Sequence, residues 1–177
     1  MPRSSANAVR FWTVVVVVLV ADVITKALAV EHLVPRYSAR PVLGDWIQLR
    51  LVYNPGAAFG LYLGELSRWI FMALTLAALV VLLQLYRATR PGHSLRVVAL
   101  ALVCAGAVGN LIDRIRSAQG VVDFIDVGVG NLRWPTFNVA DMAVSVGAFL
   151  LAWVLWGEDS RAGAQAPAAV ATERDPG

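Results

Sequence analysis

Four long apolar runs dominate the pattern of hydrophobic and polar positions along the chain. They cover residues 11–30, 69–86, 97–112 and 137–156. A helix needs about 20 mostly apolar residues to cross the hydrocarbon core of a bilayer. The pattern therefore predicts four transmembrane helices.

Two longer polar stretches, residues 31–68 and 113–136, separate these runs. With four spans both stretches must lie on the same side of the membrane. The end of the first span, the end of the third and the start of the fourth face that side as well. We therefore expect the polar clusters of the chain to gather at one membrane face.

The first of these stretches has the character of a small sheet. Residues 48–54 roughly alternate between apolar and polar and predict a strand. Pro55 and Gly56 predict a turn, and residues 57–62 a returning second strand. The expected fold is an all-α membrane protein, with four transmembrane helices and a small extracytoplasmic cradle of β-sheet and loop.

The two ends of the chain differ in character. Residues 1–156 form a single predicted membrane domain, whereas residues 157–177 are rich in Ala, Gly, Pro and charge and predict a disordered tail. The basic start and the Ala27-Leu28-Ala29 triplet imitate a cleavable signal peptide. Asp22 and Lys26 interrupt the region before that triplet, which favours a retained first span.

Composition agrees with a membrane protein, because 58% of the residues are hydrophobic, 15% are charged and the mean hydropathy is +0.65. The isoelectric point near 9.5 comes from 14 arginines and a single lysine. These arginines lie between the apolar runs, which indicates interface anchoring rather than nucleic-acid binding. Cys104 lies inside an apolar run, so we expect neither a disulfide framework nor a thiolate metal site.

The arginines divide equally between the two predicted sides of the membrane and leave the orientation open. Three of them, Arg87, Arg90 and Arg96, lie in one short turn. The positive-inside rule applies best to short loops. This turn therefore favours cytoplasmic N- and C-termini, and with them a cytoplasmic tail.

Polar residues inside the spans are candidates for chemistry. Asp22 and Lys26 are four apart and share a helix face, and an ion pair that locks the helix is favoured over direct catalysis. For Asn110, Asp113 and Arg114, which end the third span, substrate binding and structural pairing remain equal alternatives.

Asn138 and Asp141 open the fourth span and share one face. Asp141 lies about one turn below the surface, where a partly desolvated carboxylate suits acid–base work. The chain shows no serine or cysteine triad, and His32 and His93 fall on opposite sides. A hydrolase would therefore depend on carboxylates. The candidates to join Asp141 are Asp113, Asp123 and Asp126, and spacing alone leaves that choice open.

Five ordered motifs resemble a known family. They are Asp22-Val-Ile-Thr-Lys26, Tyr53-Asn-Pro-Gly-Ala-Ala-Phe-Gly60, Gly109-Asn-Leu-Ile-Asp-Arg114, Val121-Val-Asp-Phe124 and Phe137-Asn-Val-Ala-Asp141. Together they are similar to lipoprotein signal peptidase, or signal peptidase II. The resemblance covers residues 11–156. It implies an aspartic endopeptidase that cuts diacylglyceryl-modified prolipoproteins just before the lipidated cysteine.

The resemblance also implies residue roles. It maps the catalytic pair to Asp123 and Asp141 and makes Asp126 a loop residue. Positions that bind substrate or support the pair map to Asn54, Gly56, Asn110, Arg114 and Asn138. Positions with a structural polar role map to Asp22, Lys26 and Asp113, the last beside Arg114.

The expected setting is the bacterial cytoplasmic (inner) membrane, with the site at the extracytoplasmic face and membrane lipids around a monomer. The expected substrate partner is the lipid-modified prolipoprotein, with no metal, cofactor or nucleic acid. The alternative is a non-enzymatic small membrane transporter or scaffold. It would need polar residues through the bilayer depth, but the second span holds only Thr75 and Gln84.

Overall fold

A computed structural model describes residues 2–56 and 64–164 of the chain. Its helices are α1 (Pro2–His32), α2 (Ser67–Arg87), α3 (Ser94–Arg116) and α4 (Val139–Ala164), and a 3-10 turn at Gly64–Leu66 precedes α2. Each of the four helices contains a segment long and apolar enough to cross a membrane. The prediction of four transmembrane helices is confirmed.

Four antiparallel strands form a sheet in the order β1 (Arg40–Leu43), β2 (Ile47–Asn54), β3 (Val121–Val129) and β4 (Leu132–Arg133). Strand β2 confirms the strand predicted at residues 48–54. The returning strand predicted at residues 57–62 lies outside the described residues. Instead β2 pairs with β3, from the other polar stretch, and this pairing sets Val52 opposite Asp123.

The assignment of Asp126 to a loop is wrong. Asp126 lies within β3 and is only 2% exposed. Arg50 Nη2 lies 2.9 Å from one of its carboxylate oxygens and Arg133 Nε 2.6 Å from the other. A buried carboxylate needs such partners, and neighbouring strands supply them here. This ion-pair group joins β2, β3 and β4.

Helix α4 extends past residue 157, where the sequence predicted the start of a disordered tail. Glu158 accepts a hydrogen bond of 2.9 Å from Arg96 and lies 3.1 Å from His93 Nδ1. These contacts attach α4 at Glu158 to the start of α3, beyond the point where the tail was predicted to begin. The rest of the predicted tail, residues 165–177, lies outside the described part of the chain.

Helix α3 occupies the centre of the bundle and packs against the other three helices. Small side chains such as Ala101 and Ala105 are fully buried along it. At Gly106 an added Cβ would overlap the carbonyl oxygen of Ala140, so α3 and α4 approach backbone to backbone. Small residues at helix contacts are typical of membrane bundles.

A second apolar cluster joins the sheet to the helices. Leu51 of β2 and Phe124 of β3 pack against Ala29 and Leu33 at the end of α1. The sheet therefore rests on the end of the bundle where α1 and α3 finish and α4 begins. This is the end at which the polar clusters were expected to gather.

Candidate active site

The start of α4 places two polar side chains by reciprocal capping. Asn138 Oδ1 accepts a hydrogen bond of 2.9 Å from the Asp141 backbone N–H. Asp141 Oδ2 in turn accepts one of 3.2 Å from the Asn138 backbone N–H. This exchange satisfies N–H groups that a helix start otherwise leaves unpaired. It also fixes the direction in which the Asp141 carboxylate points.

Asp123 projects from β3 and is 2% exposed. Asn138 Nδ2 donates to its Oδ1 at 2.8 Å, and Asn54 Nδ2 donates to its Oδ2 at 3.1 Å. Asn138 thus donates to both carboxylates, from its side-chain amide to Asp123 and from its backbone N–H to Asp141. The strand and the helix are aligned by one fully buried asparagine.

Asn110 of α3 joins this group from the opposite side. Its Nδ2 donates to Asp141 Oδ1 at 2.7 Å. Its Oδ1 accepts from Lys26 Nζ at 3.0 Å and from Asn138 Nδ2 at 3.1 Å. With two donors on the oxygen, the amide nitrogen must face Asp141. The orientation of this amide is therefore determined by its neighbours.

Lys26 is 4% exposed and forms ion pairs with Asp22 Oδ2 at 2.8 Å and Asp113 Oδ2 at 2.7 Å. Asp22 also accepts from the Ala140 N–H at 2.9 Å, and Asp113 accepts from the Val122 N–H at 3.2 Å. These contacts tie α1 to α4 and α3 to β3. The partner of Asp113 is thus Lys26 and not the neighbouring Arg114.

Arg114 closes another side of the group. Its Nη2 donates to the Gly56 carbonyl at 2.9 Å and its Nη1 to the Asn110 carbonyl at 3.3 Å. Gly56 N–H donates to Asn54 Oδ1 at 3.0 Å, which holds the turn after β2. Arg68 of α2, which the sequence analysis did not single out, donates to the Arg114 carbonyl at 2.6 Å. The one feature of the sequence that could have indicated a role for Arg68 is its position at the start of a predicted span.

These residues surround a cavity of about 580 Å³. Its polar lining consists of Asn54, Asn110, Arg114, Asp123, Thr136, Asp141 and Ser145. Its remaining lining is largely apolar and includes Trp134, Phe137, Met142 and Val146. The cavity therefore combines two carboxylates with a wall suited to an apolar ligand.

The carboxyl of Asp123 has a raised pKa of about 7, chiefly because burial disfavours its charged form. The negative charge of Asp141 raises the pKa further, whereas the hydrogen bonds from Asn54 and Asn138 and the charge of Lys26 lower it. Asp123 can therefore gain or lose a proton near neutral pH. That is the property required of a general acid or base.

The structure brings together the residues that the sequence singled out. Asp123 and Asp141 line one cavity, Asn138 and Gly56 contact its lining residues, and the group of Asp22, Lys26 and Asp113 lies behind Asn110. Within residues 2–56 and 64–164 no cluster of three or more His, Cys, Asp or Glu side chains could hold a metal ion.

Comparison with known proteins shows the family to which the chain is similar. The family model for signal peptidase (SPase) II matches residues 14–157. A lipoprotein signal peptidase of Moorella thermoacetica is 39% identical over 145 residues, which are 82% of this chain and 91% of that protein. One of Desulforapulum autotrophicum is 40% identical over 142 residues, 78% of this chain and 86% of that protein.

Two solved structures are similar to the whole fold. One is a bacterial membrane enzyme determined by the in meso method at 2.3 Å resolution, with a TM-score of 0.76 and 25% identity, covering 94% of this chain and 93% of that one. Another, at 1.9 Å, has a TM-score of 0.71 and 28% identity, covering 82% and 91%. The chain belongs to the signal peptidase II family.

Proposed function

We propose that this protein removes the signal peptide from diacylglyceryl-modified prolipoproteins, cutting before the lipidated cysteine with Asp123 and Asp141 as the catalytic pair. The observation that carries the proposal is that both carboxylates line the same half-apolar cavity. Membership of a peptidase family favours this reading over a transporter or scaffold. The relatives reported above are named lipoprotein signal peptidases.

The chemistry follows from the unequal environments of the two carboxylates. Asp123, whose buried carboxyl has a pKa of about 7, is protonated in part of the molecules at neutral pH. The ionised member of the pair removes a proton from water, which attacks the scissile carbonyl. The protonated member donates a hydrogen bond to the carbonyl oxygen and stabilises the tetrahedral intermediate. The intermediate then collapses with cleavage of its C–N bond, and the aspartate that took the proton from water passes it to the leaving amine.

The neighbouring side chains hold the pair in place for this reaction. Asn138 and Asn54 donate to Asp123, and Asn110 donates to Asp141. Arg114 is 9% exposed and lines the cavity, where its guanidinium can bind a substrate carbonyl. The apolar wall, with Phe137 among its residues, provides contact area for an acyl chain or an apolar signal peptide.

The cavity opens at the end of the bundle that carries the sheet. We assign this end to the extracytoplasmic face and both termini to the cytoplasm, because the dense turn with Arg87, Arg90 and Arg96 lies at the other end. The protein then acts as a monomer in the bacterial inner membrane. A lipid-anchored cysteine would present its peptide bond at the depth of the cavity.

The test is cleavage of a synthetic diacylglyceryl-modified precursor by the purified full chain in detergent. Asp123→Asn and Asp141→Asn should each reduce turnover by at least about a thousandfold, because neither variant retains the pair. Asp126→Asn is the matched control, since Asp126 lies on the same strand and is buried but pairs with Arg50 and Arg133 instead.

Normal cleavage by either Asp123→Asn or Asp141→Asn would refute the catalytic assignment. An equal loss in the Asp126→Asn control, with its helical content and unfolding temperature unchanged, would refute it too. Analysis of the product by mass spectrometry tests the cleavage site separately. The new N-terminus must be the lipidated cysteine.

A further inference from the structure

A second cavity, of about 550 Å³, lies between the outer ends of α1 and α3 and shares no lining residue with the first. Its deeper wall includes Val23, Ala27 and Val30 of α1 and Ile112 of α3. Its rim carries Glu31, Arg36 and Arg116, together with polar groups of the turn after α3. The cavity is thus apolar on one side and charged on the other.

The two arginines on this rim differ from the lysine below them. In the described part of the chain no carboxylate lies within ion-pair distance of Arg36 or Arg116, whereas Lys26 at the cavity floor is paired with two aspartates. Arg36 is nevertheless held in place, because its Cζ lies 4.4 Å from the centre of the Tyr53 ring. Stacking leaves the N–H edge of a guanidinium free to bind an oxyanion.

Glu31 adds a negative charge to the same rim and likewise forms no ion pair within the described residues. A ligand that satisfies the whole rim therefore carries an anionic and a cationic group close together. The apolar wall from Val23 to Val30 runs roughly 10 Å down the helix, at about 1.5 Å per residue. That length accommodates part of an acyl chain below the head group.

We propose that this cavity binds one membrane phospholipid whose head group carries a phosphate and a primary ammonium, as phosphatidylethanolamine does. The phosphate lies between Arg36 and Arg116, and the ammonium faces Glu31. One acyl chain follows the apolar face of α1. The site is separate from the aspartate cavity, so the inference does not depend on the proposed peptidase activity.

Native mass spectrometry of the full chain, titrated in detergent with phosphatidylethanolamine or phosphatidylglycerol, tests the site. We expect one saturable phosphatidylethanolamine per chain. The double variant Arg36→Gln/Arg116→Gln should weaken its binding at least tenfold, because two charge-assisted contacts are lost. Ala27→Phe, at an exposed helix position, should weaken binding comparably, because the larger side chain fills the apolar side of the cavity where the acyl chain would lie.

The matched control is Arg40→Gln, which removes an arginine at the same membrane face that lies outside the cavity. It should change the dissociation constant less than twofold. Glu31→Gln should abolish the preference for phosphatidylethanolamine over phosphatidylglycerol. Unfolding temperatures measured in parallel identify any variant that has lost its fold. If the double variant is misfolded, the decisive test is lipid binding by a folded Ala27→Phe variant.

Several results would overturn the inference. They are non-saturable lipid binding, unchanged binding by a folded double variant, or an equal loss in Arg40→Gln. Displacement of the lipid by millimolar inorganic phosphate would show a site for a free anion instead. Retained lipid selectivity in Glu31→Gln would refute the role of the ammonium group.

Discussion

Replacing Asp123 by asparagine should change how the stability of the protein depends on pH. Asp123 is buried, and its pKa is about 7 in the folded chain against 3.8 for an ordinary aspartate. Between these two values the folded state holds a proton that the unfolded state has released. The free energy of unfolding therefore falls as the pH rises through this range. The Asp123→Asn variant has no such proton.

The size of the effect follows from the same two values. One pKa unit corresponds to about 1.4 kcal/mol, and integration from pH 5 to pH 8 gives a loss of roughly 2.5 kcal/mol in the unmodified protein. The new amide faces the donors Asn54 and Asn138, so the variant loses a hydrogen bond at a cost of about 1–3 kcal/mol. That cost is independent of pH, so it does not change how the free energy of unfolding varies with pH.

The measurement is equilibrium unfolding of both proteins in mixed detergent micelles at pH 5, 6, 7 and 8, followed by tryptophan fluorescence. The unfolding free energy of the variant relative to the unmodified protein should increase steadily with pH. Asp141→Asn should show a weaker pH dependence than the unmodified protein, because the charge of Asp141 raises the pKa of Asp123. Parallel pH profiles for Asp123→Asn and the unmodified protein would refute the raised pKa.

Other substitutions test the packing around the site. Lys26→Met should reduce the free energy of unfolding by about 3–5 kcal/mol, because it leaves two carboxylates without their cation. A loss below about 1 kcal/mol, measured by the same unfolding experiment in micelles, would contradict this expectation. Gly106→Leu should cost about 1–3 kcal/mol or more because its side chain would overlap the backbone of Ala140. The matched Gly157→Leu, where an added Cβ meets nothing within 4 Å, should leave the unfolding temperature unchanged.

The helices and the site differ in how far the sequence could predict them. Apolar runs of span length left little choice of fold, and the spacing of Asn138 and Asp141 already placed both on one helix face. The pairing of β2 with β3 was not accessible, because it joins segments far apart in the chain and β3 carries charge within its length. Asp126 was misassigned for that reason, since nothing local shows that Arg50 and Arg133 come to meet it.

Helix spacing could not identify the proposed catalytic partner of Asp141, because it left three candidate aspartates. The structure separates them by their contacts. Asp113 is paired with Lys26 and Asp126 with arginines, whereas Asp123 accepts only amide hydrogen bonds in the described structure and lines the cavity. A carboxylate without a cationic partner is the one free to exchange a proton. The sequence could not show this distinction, because the partners of each aspartate come from distant parts of the chain.

The hydrogen bond from the Ala140 N–H to Asp22 joins the first membrane helix to the last. During synthesis Asp22 enters the bilayer long before Asp141 leaves the ribosome. The proposed catalytic pair of Asp123 and Asp141 is therefore complete only once the final helix has inserted and docked. Under that proposal, a nascent chain that stalls after α3 would have no hydrolytic activity toward the precursors in the same membrane.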